Sequence, residues 1–313
     1  MFSPITTKEV QSGAFQNVIY AVSNMQGWRS TQEDTHIIKK LFPANALGMF
    51  GVFDGHGGTY SSHYLKDNFV NIVNEILTNK TTPPGKDFMS GLLVEAFLET
   101  DRQIFDTAKT VKHVGSGTTA CVCIYGQEKF YTAWAGDSRV ILCRHGKAIP
   151  MTVDHKPALE TERRRIRNCG GMVMNNRVQG ILAVSRALGD FNFKDSSKPA
   201  EEYVVSGTPE IFEIDRDEDE DEFLLLACDG IWDVMSNQQA CTFVRKRLQQ
   251  MARMKGLTVD MKLGMVERIA SQVLDECLRL GSRDNMTCAI VVFETSKSLL
   301  RKPSPVSMAC SVL

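Results

Sequence analysis

The sequence predicts an α+β fold built on antiparallel sheets. Strand-like segments run in clusters separated by two-residue turns. Long amphipathic helical segments come in pairs between those clusters. A βαβαβα alternation, which would favour a doubly wound parallel sheet, is missing. No nucleotide loop opposes this reading: Gly115-Ser116-Gly117 lacks the rest of GxGxxG, no Walker lysine follows, and these glycines read as a turn before a strand.

Residues 17–24 (NVIYAVSN) and 47–54 (LGMFGVFD) are rich in apolar and β-branched residues and read as strands. From Gly58 to Leu77 the spacing changes: Leu65, Phe69, Ile72, Val73 and Ile76 fall on one helical face, and TTPPG at 81–85 ends the helix. A second helix over 87–108 carries Leu93, Phe97 and Ile104 on one face. Strands follow at 117–125, 128–135, 138–144 and 147–150, divided by Gly126-Gln127, Gly136-Asp137 and His145-Gly146, all hairpin-like pairs. A short basic helix over 158–168 stops at Gly170-Gly171. Short strand-like pieces continue to 228, interrupted by a flexible-looking stretch at 194–202. Helices return at 236–254 and 262–280, and 286–294 (MTCAIVVFE) is the last strand. The expected division is an N-terminal segment 1–16, one folded domain over 17–295, and a tail over 296–313.

Composition narrows the function classes. Of 313 residues, 43% are hydrophobic, which excludes disorder over most of the chain. Lys+Arg 36 against Asp+Glu 37 leaves a net charge of -1, so no nucleic-acid partner held by bulk positive charge is expected. The longest apolar runs, such as Ala46–Phe53 and Phe223–Cys228, have strand length and are too short for a membrane span. The N-terminus has neither the basic start nor the apolar core of a secretory signal. Nine cysteines, an odd number without a CxxC pair, point to reduced thiols in an intracellular compartment, cytoplasmic or nuclear. Cys121 and Cys123 share a strand face and read as buried thiols rather than metal ligands. The sequons at Asn79 and Asn285 read as chance, and with near-neutral charge and no zipper a monomer is the default.

The informative feature is where the acids stand. Asp54 ends an apolar run and precedes Gly55-His56-Gly57-Gly58; Asp229 ends FLLLAC and precedes Gly230. One such Asp is usually a turn former. Two of them, with Glu33-Asp34 before one strand and Asp284-Asn285 before the last, suggest carboxylates converging on divalent cations, since they would otherwise repel. All-oxygen ligands without Cys or His at ligand spacing suit Mg²⁺ or Mn²⁺. The residues alone thus suggest a hydrolytic site with two hard cations. Arg29 is either a fork-shaped phosphate partner or a surface arginine paired with Glu33. His56 either protonates a leaving group or simply packs in its glycine loop.

The segments GWRSTQEDTH (27–36), FDGHGG (53–58), GSGTTA (115–120), AGDSR (135–139), DHKP (154–157), VSRALGD (184–190), LACDGIWD (226–233) and SRDNMT (282–287) occur in one order. In this order they resemble the metal-dependent serine/threonine protein phosphatases of the protein phosphatase 2C family, over about residues 17–295. The resemblance implies a central sandwich of two antiparallel sheets flanked by helices on both outer faces, with a mobile flap over about 155–200. It implies that Asp54 bridges two Mg²⁺ or Mn²⁺ ions. Asp229 and Asp284 would hold one ion, the Gly55 carbonyl and Glu33 the other, and Asp34 would support the shell. Asp137, with Asp229, falls where the family has a third, weaker metal site. Arg29 would bind the substrate phosphate, His56 would act as general acid, and Thr119 and Asn285 would support the site. A metal-bridging hydroxide would attack phosphoserine or phosphothreonine in phosphoprotein substrates directly, without a phosphoenzyme. The Cys-x₅-Arg pairs Cys241/Arg247 and Cys277/Arg283 start inside helical segments and do not form a cysteine-phosphatase loop.

Two other readings compete. An inactive relative acting as a binding module would have lost metal acids, whereas Asp54, Asp229 and Asp284 are all present. A metal-dependent nuclease would need a basic stripe with interleaved aromatics, which is missing. Arg163-Arg164-Arg165-Ile166-Arg167 reads as a solvated helical face rather than a substrate-attracting patch. Asp215–Glu222 (DRDEDEDE) reads as a solvated turn, and Met172 and Met174 as packing residues. Cys310-Ser311-Val312-Leu313 fits a C-a-a-X end of the geranylgeranyl type, though with a polar Ser at the first aliphatic position; a prenylated Cys310 would associate the chain with a membrane.

Overall fold

The computed structural model describes residues 3–41, 48–79, 88–195 and 197–300. The TTPPG stop and the Cys310–Leu313 end lie outside the described residues. The chain forms two compact units: one from residues up to Ser30, Val140–Met151 and Arg216 onward, the other from Thr31–Arg139 and Thr152–Asp215. Each is built on its own antiparallel sheet, so the α+β class is borne out.

The first unit holds a six-stranded sheet in the order Ile5–Phe15, Val18–Gly27, Met286–Phe293, Asp221–Ala227, Arg139–Arg144, Lys147–Pro150. The helices Asn237–Ala252 and Val259–Arg279 bury Val244, Leu248, Ile269 and Val273 with Ile19, Ala21, Phe223, Leu225 and Ile290 of the sheet. The two-residue spacing of the strand residues and the three- or four-residue spacing of the helical ones are what such packing requires. Ile5–Phe15 lies outside the segments expected to be strands. Its outward residues are mostly exposed and polar, so no apolar alternation marks it. The backbone ladder to Val18–Gly27, a Lys8–Asp275 ion pair of 2.6 Å and a Ser12–Glu267 bond of 2.5 Å hold it in place.

The acidic run ends differently from expectation. Asp221 and Glu222 are buried at the start of the Asp221–Ala227 strand rather than in a solvated turn. Each has an arginine: Arg144 Nε donates to Asp221 Oδ1 at 2.5 Å, and Arg245 Nε to Glu222 Oε2 at 2.7 Å. Buried carboxylates persist only with such partners, and these partners lie far off in sequence. The fully buried Cys241 and the fully buried Cys277 sit inside helices, which agrees with reading their Cys-x₅-Arg spacings as chance.

The second unit holds a five-stranded sheet in the order Glu210–Asp215, Lys129–Ala135, Ala120–Tyr125, Gly48–Phe53, Thr35–Lys40. The helices Tyr60–Asn79 and Phe88–Val111 bury Leu65, Phe69, Leu93 and Phe97 with Ile37, Phe53 and Val122. Phe69 and Phe97 meet edge to face, ring centres 5.4 Å apart. Cys121 and Cys123 are unpaired and buried, and burial pushes the Cys123 thiol up to about 12. A separate three-stranded ribbon, Leu188–Gly189, Gly117–Thr118 and Gly55–His56, ties together three of the glycine-containing motifs. Among the described residues no helix is long and apolar enough to cross a membrane.

A small third core of Ile166, Val178, Val184, Ala187 and Val205 underlies the region expected to be a flap. Here the basic helix Glu160–Asn168 is not simply a solvated face. Arg165 turns inward and donates to the carbonyls of Ser185, Tyr203 and Val204. Met172 and Met174 are exposed rather than packed. Lys194, at the start of the stretch that reads as flexible, is buried against Asp101 at 2.7 Å. A lysine buried in this way leaves no periodic signal in the sequence.

Glu162 is buried between Arg165 (2.9 Å) and Arg186 (2.7 Å). Burial alone would raise its pKa, but the two guanidinium groups outweigh burial and hold the carboxyl at about 2. A carboxyl depressed on folding stabilises the protein above its unfolded pKa of about 4.3 and loses that contribution as pH falls toward the folded value. Glu162→Gln should therefore cost about 3 kcal/mol near neutral pH. In urea denaturation at a series of pH values, the gap to wild type should shrink between about pH 4.5 and pH 2.

Candidate active site

Seven of the sequence-predicted site residues, Glu33, Asp34, Asp54, Gly55, His56, Thr119 and Asp137, belong to the second unit. Asp54 follows the Gly48–Phe53 strand, which delivers it rigidly to a sheet end. Its backbone is clamped: Thr119 N donates to Asp54 O at 2.9 Å, Thr118 Oγ1 donates to the same oxygen at 3.1 Å, and Asp54 N donates to Thr119 Oγ1 at 3.2 Å. Thr119 Oγ1 also bonds Ser138 Oγ at 2.7 Å, beside Asp137. Thr119 therefore meets Asp54 through the Asp54 backbone.

Carboxylate oxygens of Asp34 and Asp54 lie within 4.8 Å of each other, as do those of Asp54 and Asp137. Asp34 and Asp137 are buried. Like charges at this separation repel by about 3 kcal/mol per pair at an effective dielectric near 20. A set of oxygen donors under this repulsion fits a hard divalent cation, which would offset the charge. Lys156 Nζ already contacts Asp137 Oδ2, so one acid of the group carries an ammonium partner. Glu33 faces the same loop: its Oε2 accepts from Gly58 N at 3.2 Å and its Oε1 from Thr31 Oγ1 at 2.8 Å. The Glu33 backbone carbonyl accepts from Ser62 Oγ at 2.6 Å, beside Gly55.

His56 pairs with Asp190, a residue that the sequence reading passed over, at 2.7 Å between Nε2 and Oδ2. Burial pushes the imidazolium pKa down, but the Asp190 carboxylate more than offsets this and Asp137 and Glu33 add to it, so the pKa lies above the usual histidine value. Asp190 and Lys156 both stand in recognised motifs, VSRALGD and DHKP. No spacing in the sequence shows that they touch His56 and Asp137.

Arg29, Asp229, Asp284 and Asn285 belong to the first unit. Arg29 pairs with Asp284, Nη2 to Oδ2 at 2.6 Å. Asp284 Oδ1 accepts from Asn285 N at 2.7 Å, so both carboxylate oxygens are oriented. Asn285 Nδ2 donates to Gln26 O at 2.9 Å; the buried amide staples two segments, and its sequon is not a surface site. Asp229 opens the short helix Asp229–Trp232, unmarked by any periodicity because it spans one turn. The next residue has to be glycine, since a Cβ at Gly230 would lie 2.0 Å from Asn285 O. Ser282 Oγ donates to Gly230 O at 2.7 Å, so LACDGIWD and SRDNMT are locked together in this unit.

A family model described as "Protein phosphatase 2C" matches residues 18–286. The chain is similar to "Protein phosphatase 2C homolog 2" of Hypocrea jecorina, 39% identical over 311 residues, covering 94% of this chain and 67% of that one. It is similar to "Protein phosphatase 1A" of Homo sapiens, 38% identical over 299 residues, covering 93% of this chain and 74% of that one. Among solved structures, a serine-threonine phosphatase 2C from Toxoplasma gondii superposes with a TM-score of 0.74 at 21% identity, covering 92% of this chain and 99% of that one; this is a likeness of fold.

Gly230→Ala should cost about 1–3 kcal/mol in urea denaturation, because the Asn285 carbonyl has to move for the new methyl. Gly264→Ala, where a Cβ meets nothing within 4 Å, should not destabilise the protein.

Proposed function

The chain belongs to the protein phosphatase 2C family and is a protein serine/threonine phosphatase, and from this premise we propose that it works through two hard divalent cations held by Asp54, Asp229 and Asp284. The observation that carries the reading is the crowding of Asp34 and Asp137 around Asp54, oxygen donors within 4.8 Å that call for a cation. Asp54 would bridge the two ions. Glu33 and the Gly55 carbonyl would serve the ion opposite Asp229 and Asp284, with Asp34, Thr119 and Asn285 in support. Asp137 would give a third, weaker site with Asp229, in competition with the Lys156 ammonium. Mg²⁺ and Mn²⁺ both suit such a donor set. Bound there, the cations would acidify a water and offset charge on the phosphoryl group.

The remaining steps belong to the protein's own side chains. Arg29 presents a guanidinium fork that suits phosphate oxygens. In the structure it holds Asp284, and 60% of its side chain is exposed, so a phosphate can reach it. His56 supplies a proton to the departing serine or threonine oxygen. The pair it forms with Asp190 raises its pKa, which keeps the proton on the ring at higher pH than in a free histidine. A binding module without activity is the weaker reading, because none of these acids is replaced. Phosphoproteins are the substrate class. Nothing in the oxygen donor set selects the peptide around the phosphate, so selection falls to surfaces such as the region carrying exposed Met172 and Met174.

Hydrolysis of a phosphothreonine peptide should require Mn²⁺ or Mg²⁺, stop with EDTA and be nearly abolished in Asp54→Asn. Turnover of the purified variant at saturating Mn²⁺ close to wild type would sink the bridging role. Arg29→Ala should mainly raise KM; a large fall in kcat at constant KM would contradict ground-state phosphate binding.

A further inference from the structure

We propose that Asp190 is the positioning residue for His56: it engages Nε2 and thereby commits Nδ1 to the leaving group of the substrate. The inference rests on His56 being the leaving-group acid. A carboxylate only accepts, so the 2.7 Å contact places a proton on Nε2 that points at Asp190 Oδ2. Among the described residues the His56 side chain makes no other hydrogen bond. Its side chain is 28% exposed and that of Asp190 4%, so a partly accessible imidazole is held by a buried carboxylate.

The backbone around Asp190 is arranged for this contact. Asp190 stands in the left-handed region at φ 56 and ψ 41, a conformation that only a few side chains tolerate. It is held there on both sides: its N–H donates to Ser116 O at 2.9 Å, and its carbonyl accepts from Phe193 N at 2.9 Å. The ribbon register sets His56 opposite Gly117 and Gly117 opposite Gly189, one residue before Asp190. A Cβ on Gly117 would lie 2.2 Å from Asp190 Oδ2 and 2.4 Å from His56 Nε2, so the pair occupies the space that a side chain there would fill.

The chemistry then divides between the two ring nitrogens. As water attacks phosphorus, the new phosphorus–oxygen bond forms and the bond to the serine or threonine oxygen breaks. That oxygen takes the proton from His56 Nδ1, and the proton released by the attacking water restores the ring through solvent. Asp190 accepts from the Nε2–H throughout, so that proton stays on the ring and Nδ1 is the nitrogen left for the substrate. It touches neither substrate nor reacting atoms.

The test separates this inference from its premise. His56→Gln, Asp190→Asn and the double variant are assayed with Mn²⁺ on a phosphothreonine peptide and on p-nitrophenyl phosphate, whose leaving group needs little proton assistance. Asparagine tolerates the left-handed conformation, so the Asp190→Asn backbone should survive. Both single variants should lose about 10²-fold in kcat on the peptide with KM little changed, much less on the aryl phosphate, and the double variant should be no worse than His56→Gln. Equal losses of His56→Gln on both substrates would remove His56 as the acid, and the inference with it. A split for His56→Gln but none for Asp190→Asn would overturn the inference alone. Histidine ¹⁵N NMR on wild type with Mg²⁺ gives an independent reading that needs no variant: an exchange-protected proton on His56 Nε2 is expected, and one on Nδ1 instead would overturn the assignment.

Discussion

The candidate site depends on a missing side chain. Three short strands, Gly55–His56, Gly117–Thr118 and Leu188–Gly189, pair so closely that Gly117 faces His56 across one edge and Gly189 across the other. Any Cβ at Gly117 would overlap Asp190 and His56 together. The same ribbon turns the Thr118 hydroxyl onto the Asp54 carbonyl. The His56 imidazole and the carboxylate at the centre of the acidic group are thereby set by one backbone ladder. A ladder of backbone hydrogen bonds holds position better than flexible side chains would, and a site of this kind needs that tolerance.

Charge is handled in two ways. Where an acid is structural, a basic side chain meets it: Arg245 on Glu222, Arg144 on Asp221, Arg186 on Glu162, Lys194 on Asp101. These pairs let a nearly neutral chain bury several carboxylates at no gain in net charge. Around Asp54 the balance differs, since carboxylate oxygens of Asp34 and of Asp137 each lie close to those of Asp54, and Lys156 meets Asp137. Acids gathered in this way could hold a metal ion. The two kinds of acid look alike in the sequence; their partners tell them apart.

Much of this was legible from residues. Helices and strands with a clear period, such as Tyr60–Asn79 and Met286–Phe293, stand where the spacing of Leu65, Phe69 and Ile72, or a run of buried β-branched residues, places them. The acids at strand ends were equally visible. What escaped was set by contacts between distant residues. Ile5–Phe15 is a strand because a neighbour offers a ladder, and its polar sequence does not say so. Asp221 and Glu222 read as solvent-facing until Arg144 and Arg245 are seen beside them. Asp190 is one residue in a motif, and nothing local announces that a left-handed turn aims it at a histidine 134 positions away.

That turn is itself anchored from beneath. Asp101, on the Phe88–Val111 helix, accepts from Gly189 N at 2.8 Å and from Lys194 Nζ at 2.7 Å, one partner on each side of Asp190. Lys194 also donates to Ala187 O at 2.9 Å and lies over the Phe191 ring, 5.3 Å from its centre. Burial pushes the Asp101 carboxyl up, and Lys194 and the Gly189 amide pull against that rise. The segment from Ala187 to Lys194 is thus closed on itself by a buried ion pair, with Asp190 at its apex. Because the helix that carries Asp101 packs its other residues, such as Phe97 and Ile104, into the core, the orientation of the His56 ring is tied to the packing of a helix that contributes no side chain to the acidic group. Loss of the Asp101–Lys194 pair would loosen the histidine without touching Asp34, Asp54 or Asp137, which is a reason for a lysine to be buried in a stretch whose composition suggests a loose loop.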